Sequence, residues 1–131
     1  MGCKLRLNGL HDHVVLRGEQ ICTSRKMCDC IIFVTNKQII IGIVELKSKT
    51  AHPSEIIEKL TNSSEIALST LEKCRGNFTR LDFYHIVLCK GWDSSEHRVI
   101  TSRKIVVRGK KYDIIPKRCG ASFSEVISSL R

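Results

Sequence analysis

Two carboxylates and a lysine stand where neighbouring strands would bring them together: Asp29, Glu45 and Lys47. Glu45 and Lys47 are two residues apart, so in an extended chain their side chains share a face. The apolar runs Cys28 to Val34 and Gln38 to Lys47 read as consecutive strands joined by a turn at Thr35-Asn36-Lys37. A tight turn makes positions 29 and 45 nearly symmetric about its centre and sets the two carboxylates opposite each other. Paired carboxylates suit a hard cation such as Mg²⁺, which prefers oxygen ligands. Such an ion polarises a phosphoryl oxygen and lowers the pKa of a bound water, and Lys47 would orient that water or offset developing charge. The alternative is that Glu45 and Lys47 are only the solvated, mutually paired end of a strand. Yet a charged pair closing a run as apolar as Ile39 to Val44 is a local inconsistency of the kind functional sites produce.

The elements that must position these residues follow from patterning. Val14, Val15 and Leu16 predict a short strand, with a turn at Arg17-Gly18-Glu19. Runs of Ile and Val as dense as those at 31–34 and 39–44 predict central strands covered on both faces. Pro53 suits a first helical position, with Thr50 or His52 placed to cap it. Ile56, Ile57, Leu60, Ala67, Leu68 and Leu71 then recur near helical spacing, and Thr61-Asn62-Ser63-Ser64 predicts a kink or a break into two helices. Gly76 marks the stop. Leu81 to Lys90 predicts a strand, Arg98 to Val107 and Lys111 to Pro116 a hairpin turning at Arg108-Gly109-Lys110, and Ser122 to Leu130 a short closing helix. This order predicts one α/β domain over 1–131, with a mixed central β-sheet flanked by helices and a C-terminal β-hairpin.

Composition narrows the function classes. The 131 residues suffice for one hydrophobic core. Lys and Arg number 22 against 13 Asp and Glu, a net charge of +9 that fits a polyanionic partner. No apolar run approaches the roughly 20 residues of a membrane span, and the N-terminus lacks an apolar signal region, so a cytoplasmic location is expected. Seven cysteines include no CxxC pair, and Cys22-x5-Cys28-x-Cys30 matches no common zinc spacing. Most are expected to be reduced core residues, with one or two disulfides left open. Cys28 and Cys30, flanking Asp29 on a strand, should both face away from it. His11-Asp12-His13 reads as a polar loop and Trp92 as a loop anchor.

Asp29, fifteen residues, then Glu45-Leu46-Lys47, between apolar strands and ahead of a helix and another strand, resembles the PD-(D/E)xK signature of restriction-endonuclease-like nucleases. The resemblance covers roughly residues 26 to 90. It implies a restriction-endonuclease-like core and metal-dependent hydrolysis of phosphodiester bonds, as a DNA endonuclease using Mg²⁺, with Mn²⁺ substituting. Asp29 and Glu45 would be metal ligands with the Leu46 carbonyl, and Lys47 the catalytic lysine. Cys28 replaces the motif's proline. The acidic residue that members carry on an N-terminal helix has no evident helix here; Glu19 is the best candidate and Asp12 the next. Lys26 and Lys49 lie close in sequence to the site and would bind the scissile strand. Arg103, Lys104, Arg108, Lys110 and Lys111 would form a basic hairpin gripping phosphates beside it. DNA is expected over RNA, and cutting both strands of a duplex suggests a homodimer. The competing reading is a non-catalytic nucleic-acid-binding or assembly module on the same fold.

Overall fold

A computed structural model describes residues 3–7, 12–21, 24–35, 38–47, 52–73 and 81–129. The expected turn at 36–37, the cap Thr50, the stop Gly76, the end of the last helix and Lys49 lie outside the described residues.

The chain runs β1 (His13–Arg17), α1 (Gly18–Ile21), β2 (Cys30–Thr35), β3 (Ile39–Lys47), α2 (Pro53–Lys73), β4 (Leu81–Cys89), α3 (Ser94–Ser102), β5 (Lys104–Val107), β6 (Lys110–Arg118) and α4 (Phe123–Ser129). Among the described residues one six-stranded sheet has the order β1-β2-β3-β4-β6-β5. β1, β2 and β3 pair antiparallel, β3, β4 and β6 pair parallel, and β5 closes antiparallel on β6. The sheet is mixed, as the patterning predicts.

Alternation along β3 separates two cores. Ile39, Ile41 and Ile43 face α2, where Ile56, Leu60 and Ala67 cover them, with Ile100 of α3 in the same cluster. Ile40 and Val44 face the other way and meet Phe123, Val126 and Ile127 of α4. This double cover explains why β3 is buried throughout 39–45. Gly42 belongs to the α4 face because a Cβ there would lie 2.4 Å from the Phe123 ring. On that face segment 3–7 docks beside α4, through an Arg6–Ser122 bridge and a disulfide between Cys3 and Cys119. That pair is one of the bridges left open by the sequence. Cys28 and Cys30 are free thiols.

Four expectations are corrected. α2 runs unbroken over 21 residues through the polar patch, because two of its four residues are buried and all four are hydrogen-bonded within the protein. Ser63 and Ser64 are both inaccessible; Ser64 donates to Leu60 O at 2.7 Å and Thr61 to Ile57 O at 2.8 Å. The C-terminal hairpin is shorter than expected, since residues 98–102 belong to α3. Asp93 occupies the N-cap position, and the hydroxyls of Thr101 and Ser102 bond back to the helix carbonyls. Consecutive β-branched Val99 and Ile100 imitate a strand, but only Ile100 is buried. The turn at Arg17-Gly18-Glu19 is instead the one-turn helix α1. Finally, Cys28 and Cys30 occupy opposite faces, Cys28 in the α2 core and Cys30 against the α4 core. A bend at Asp29, one residue before β2 begins, breaks the alternation.

Candidate functional site

The register of β2 on β3 pairs Cys30 with Val44. Asp29, in the bend one residue beyond that pair, reaches the Glu45–Leu46 end of β3. Asp29 is exposed, and its Oδ2 accepts the Leu46 N–H at 2.7 Å. In an extended strand the N–H and C=O of one residue point to the same side. The Leu46 carbonyl is therefore directed to the side from which Asp29 approaches.

Glu45 points to the α2 face and is 1% exposed. Its Oε2 receives Lys47 Nζ at 3.1 Å and Lys59 Nζ, from the second turn of α2, at 2.9 Å. Burial raises the Glu45 carboxyl above its ordinary pKa, and the neighbouring Asp29 carboxylate pushes it the same way; the two lysines oppose both. Burial acts downward on the Lys59 ammonium, but the hydrogen bond and charge of Glu45 outweigh it and hold it above the ordinary lysine range. Glu55 extends the cluster at 3.6 Å from Lys59. Lys59 and Glu55 have no counterpart in the sequence reading. The signal that reveals them is register on α2: Glu55 and Lys59 are one helical turn apart, on the side facing the end of β3.

The polar patch of α2 holds the segment that carries Asp29. Asn62 Nδ2 donates to Lys26 O at 3.0 Å, and Cys28 N–H donates to Ser63 Oγ at 2.8 Å. From the other side Gly18 N–H donates to Asp29 O at 3.1 Å. Gly18 has to be glycine, because a Cβ there would lie 1.9 Å from the Cys28 carbonyl oxygen. The residues that interrupt the helical stripe in the sequence thus position the first carboxylate.

Glu19 sits on α1, so a short N-terminal helix with an acidic residue does exist. Glu19 is exposed and lines a cleft that also reaches Asp29. Among the described residues no three His, Cys, Asp or Glu side chains converge as a metal-binding group. The donors that do converge are two carboxylates, Asp29 and Glu45, with the Leu46 carbonyl beside them. Asp12 is exposed and accepts Thr35 N–H through its backbone, at the far end of the β1–β2 pair.

The basic residues divide by location. Lys26 is exposed, 3.9 Å from Glu58. Arg103 caps the end of α3. Lys104 pairs with Asp113, and Arg108 with Glu72 and Glu65 of α2. Arg108 and Gly109, both at positive φ, form the two-residue turn of the β5–β6 hairpin. Because β6 runs parallel to β4, this turn and Lys110 and Lys111 lie at the opposite end of the sheet from Glu45. Seven residues of extended chain separate Lys111 from Arg118, about 23 Å. The basic groups at the Glu45 end are instead Lys117 and Arg118, which align with Leu88 and Cys89 and through them with Leu46 and Lys47. Lys90 joins them, its N–H donating to Lys47 O at 3.3 Å. Trp92 donates its indole N–H to Lys117 O at 2.8 Å and so fixes this corner.

Burial and the nearby Asp29 raise Cys30 to about 11, and burial raises Cys28 well above the thiol range, which disfavours the thiolate at both. No helix among the described residues is long and apolar enough to cross a membrane. Comparison with protein-family models, with curated proteins and with solved structures gives no match.

Proposed function

We propose that this chain is a divalent-metal-dependent nuclease, a DNA endonuclease on a restriction-endonuclease-like core. The observation that carries the reading is the meeting of Asp29 and Glu45 at the sheet end, with two lysines on one Glu45 oxygen. A buried carboxylate beside a second carboxylate is costly unless cations neutralise it. The donor set of two carboxylates and a backbone carbonyl fits Mg²⁺, which keeps several waters and takes few protein ligands. When bound, the ion would polarise the phosphoryl oxygen and lower the pKa of an attacking water.

The remaining work falls to the chain itself. Lys47 donates to the attacking water or to the phosphoryl oxygens as negative charge grows on them. Lys59 opposes the upward push of burial on the Glu45 carboxyl. The attacking water releases a proton to solvent as its oxygen bonds to phosphorus, one P–O ester bond breaks, and the departing oxygen takes a proton from solvent. Lys90, Lys117 and Arg118 grip flanking phosphates. A duplex cut on both strands needs two such sites, and a homodimer supplies them.

One observation favours a second reading, a non-catalytic nucleic-acid-binding module: the two ammonium groups already neutralise Glu45 without a metal. Cleavage of plasmid, linear duplex, branched DNA, single-stranded DNA and RNA with Mg²⁺ or Mn²⁺ separates the two. Cutting that EDTA, Glu45→Ala and Lys47→Ala each abolish is expected. Salt-sensitive binding without cutting would favour the second reading.

A further inference from the structure

The described residues enclose a cleft of about 750 Å³ on the α4 face of β1 and β2, on the other side of the sheet from Lys47 and Lys59. Its volume lies within the range of small-ligand sites, roughly 300–1,000 Å³. Ile32 and Leu46 supply an apolar floor, and Val15, 40% exposed on the edge strand, forms part of the wall. Two exposed guanidinium groups, Arg17 and Arg25, and the Glu19 carboxylate line it as well. Asp29 and Leu46 belong to both the cleft and the carboxylate site.

We infer that this cleft receives an unpaired nucleobase of the strand whose phosphate lies at Asp29 and Glu45. This deepens the nuclease reading and rests on it. A flat, largely apolar ring with polar edges suits an apolar floor with few polar groups. Arginine planes stack on bases where no aromatic ring is present. The Glu19 carboxylate accepts hydrogen bonds only, so it selects a base edge bearing an amino or imino N–H. Arg17 and Arg25 complement the phosphates on either side. A paired base cannot enter, so the substrate class is a nucleic acid with an unpaired or extruded nucleotide next to the cleaved bond.

The test is binding in EDTA, so that no cleavage intervenes. Short duplexes carrying one unpaired nucleotide, or an abasic residue at the same place, are titrated by fluorescence anisotropy at fixed salt. Wild type should bind the base-bearing duplex about tenfold tighter, within the range for one stacked base. Val15→Trp, which fills the cleft from an exposed position, should bring the two affinities within about twofold while leaving duplex binding intact. Arg25→Ala, on the exposed rim, should narrow the gap and serves if the tryptophan variant does not fold. Equal binding by wild type, or full discrimination by folded Val15→Trp, would overturn the inference. Cleavage with Mg²⁺ in parallel separates the two readings. Discrimination without cutting leaves the cleft assigned and removes the nuclease, and cutting without discrimination does the reverse.

Discussion

Lys59→Met removes an ammonium 2.9 Å from a carboxylate oxygen that is almost wholly buried. At that separation the gross Coulomb energy in a medium of effective dielectric constant 20 is about 6 kcal/mol. Stripping one partner from a buried pair costs about 3–5 kcal/mol, because the remaining charge is left uncompensated. Here Lys47 stays on the same oxygen at 3.1 Å, so the loss should fall below that range, at about 2 kcal/mol. The loss must also depend on pH with a definite sign. Burial and Asp29 raise the Glu45 carboxyl in the fold, so its contribution to stability is complete below the unfolded pKa and is lost as pH rises through the raised one. Without Lys59 this decline steepens. The variant should therefore be destabilised at pH 8 and close to wild type at pH 4, where a protonated Glu45 needs no cation. Urea unfolding of wild type, Lys59→Met, Glu45→Gln and the double variant gives the coupling directly. A coupling of about 2 kcal/mol at pH 8 is expected. A coupling under about 0.5 kcal/mol, or an equal loss at both pH values, would refute this account of the cluster.

Other perturbations reach the supports of the site. Gly18→Ala drives a methyl into the Cys28 carbonyl; the fold should survive at a cost of about 1–3 kcal/mol, with displacement of Asp29 lowering cleavage on the order of a hundredfold. Unchanged cleavage would separate Gly18 from the site. His85 is buried, its pKa pushed down to about 4 by burial. Because Ser64 donates to Leu60, His85 Nε2 donates to Ser64 Oγ, and Nδ1 has no hydrogen-bond partner among the described residues. The neutral ring's contribution is complete above the unfolded pKa of 6.5 and is lost as pH falls to about 4, in total about 3 kcal/mol; His85→Phe should flatten that part of the stability–pH curve. The Cys3–Cys119 disulfide closes a loop with a sequence separation of 116. Reduction or Cys3→Ser should cost about 2–5 kcal/mol, read as a lower urea midpoint, and an unchanged midpoint would contradict it.

The parts of the fold that burial dictates were legible in the sequence. β2 and β3 announce themselves by β-branched density, and the symmetric placement of Asp29 and Glu45 about one turn matches the register that β2 and β3 adopt. Whatever depended on a polar residue's partner was not legible. Thr61-Asn62-Ser63-Ser64 reads as a break because four polar residues together ordinarily seek water; here two are buried beneath the Asp29 segment. Lys59 is not legible either, because a lysine on an amphipathic helix looks like a solvated face until the helix is docked against Glu45. The basic C-terminal third reads as one patch, whereas the parallel pairing of β6 with β4 puts Lys117 and Arg118 at one end and Lys110 and Lys111 at the other.

The central claim, that Asp29, Glu45 and Lys47 form one hydrolytic site, is tested most directly by single-turnover cleavage in Mg²⁺, with substrate binding measured on the same samples. Asp29→Ala, Glu45→Gln and Lys47→Ala should each bind within a few-fold of wild type and cut slower by at least about a hundredfold, the scale of losing one preorganised charge-stabilising group. Wild-type cleavage that survives all three substitutions, or proceeds in EDTA, would contradict it.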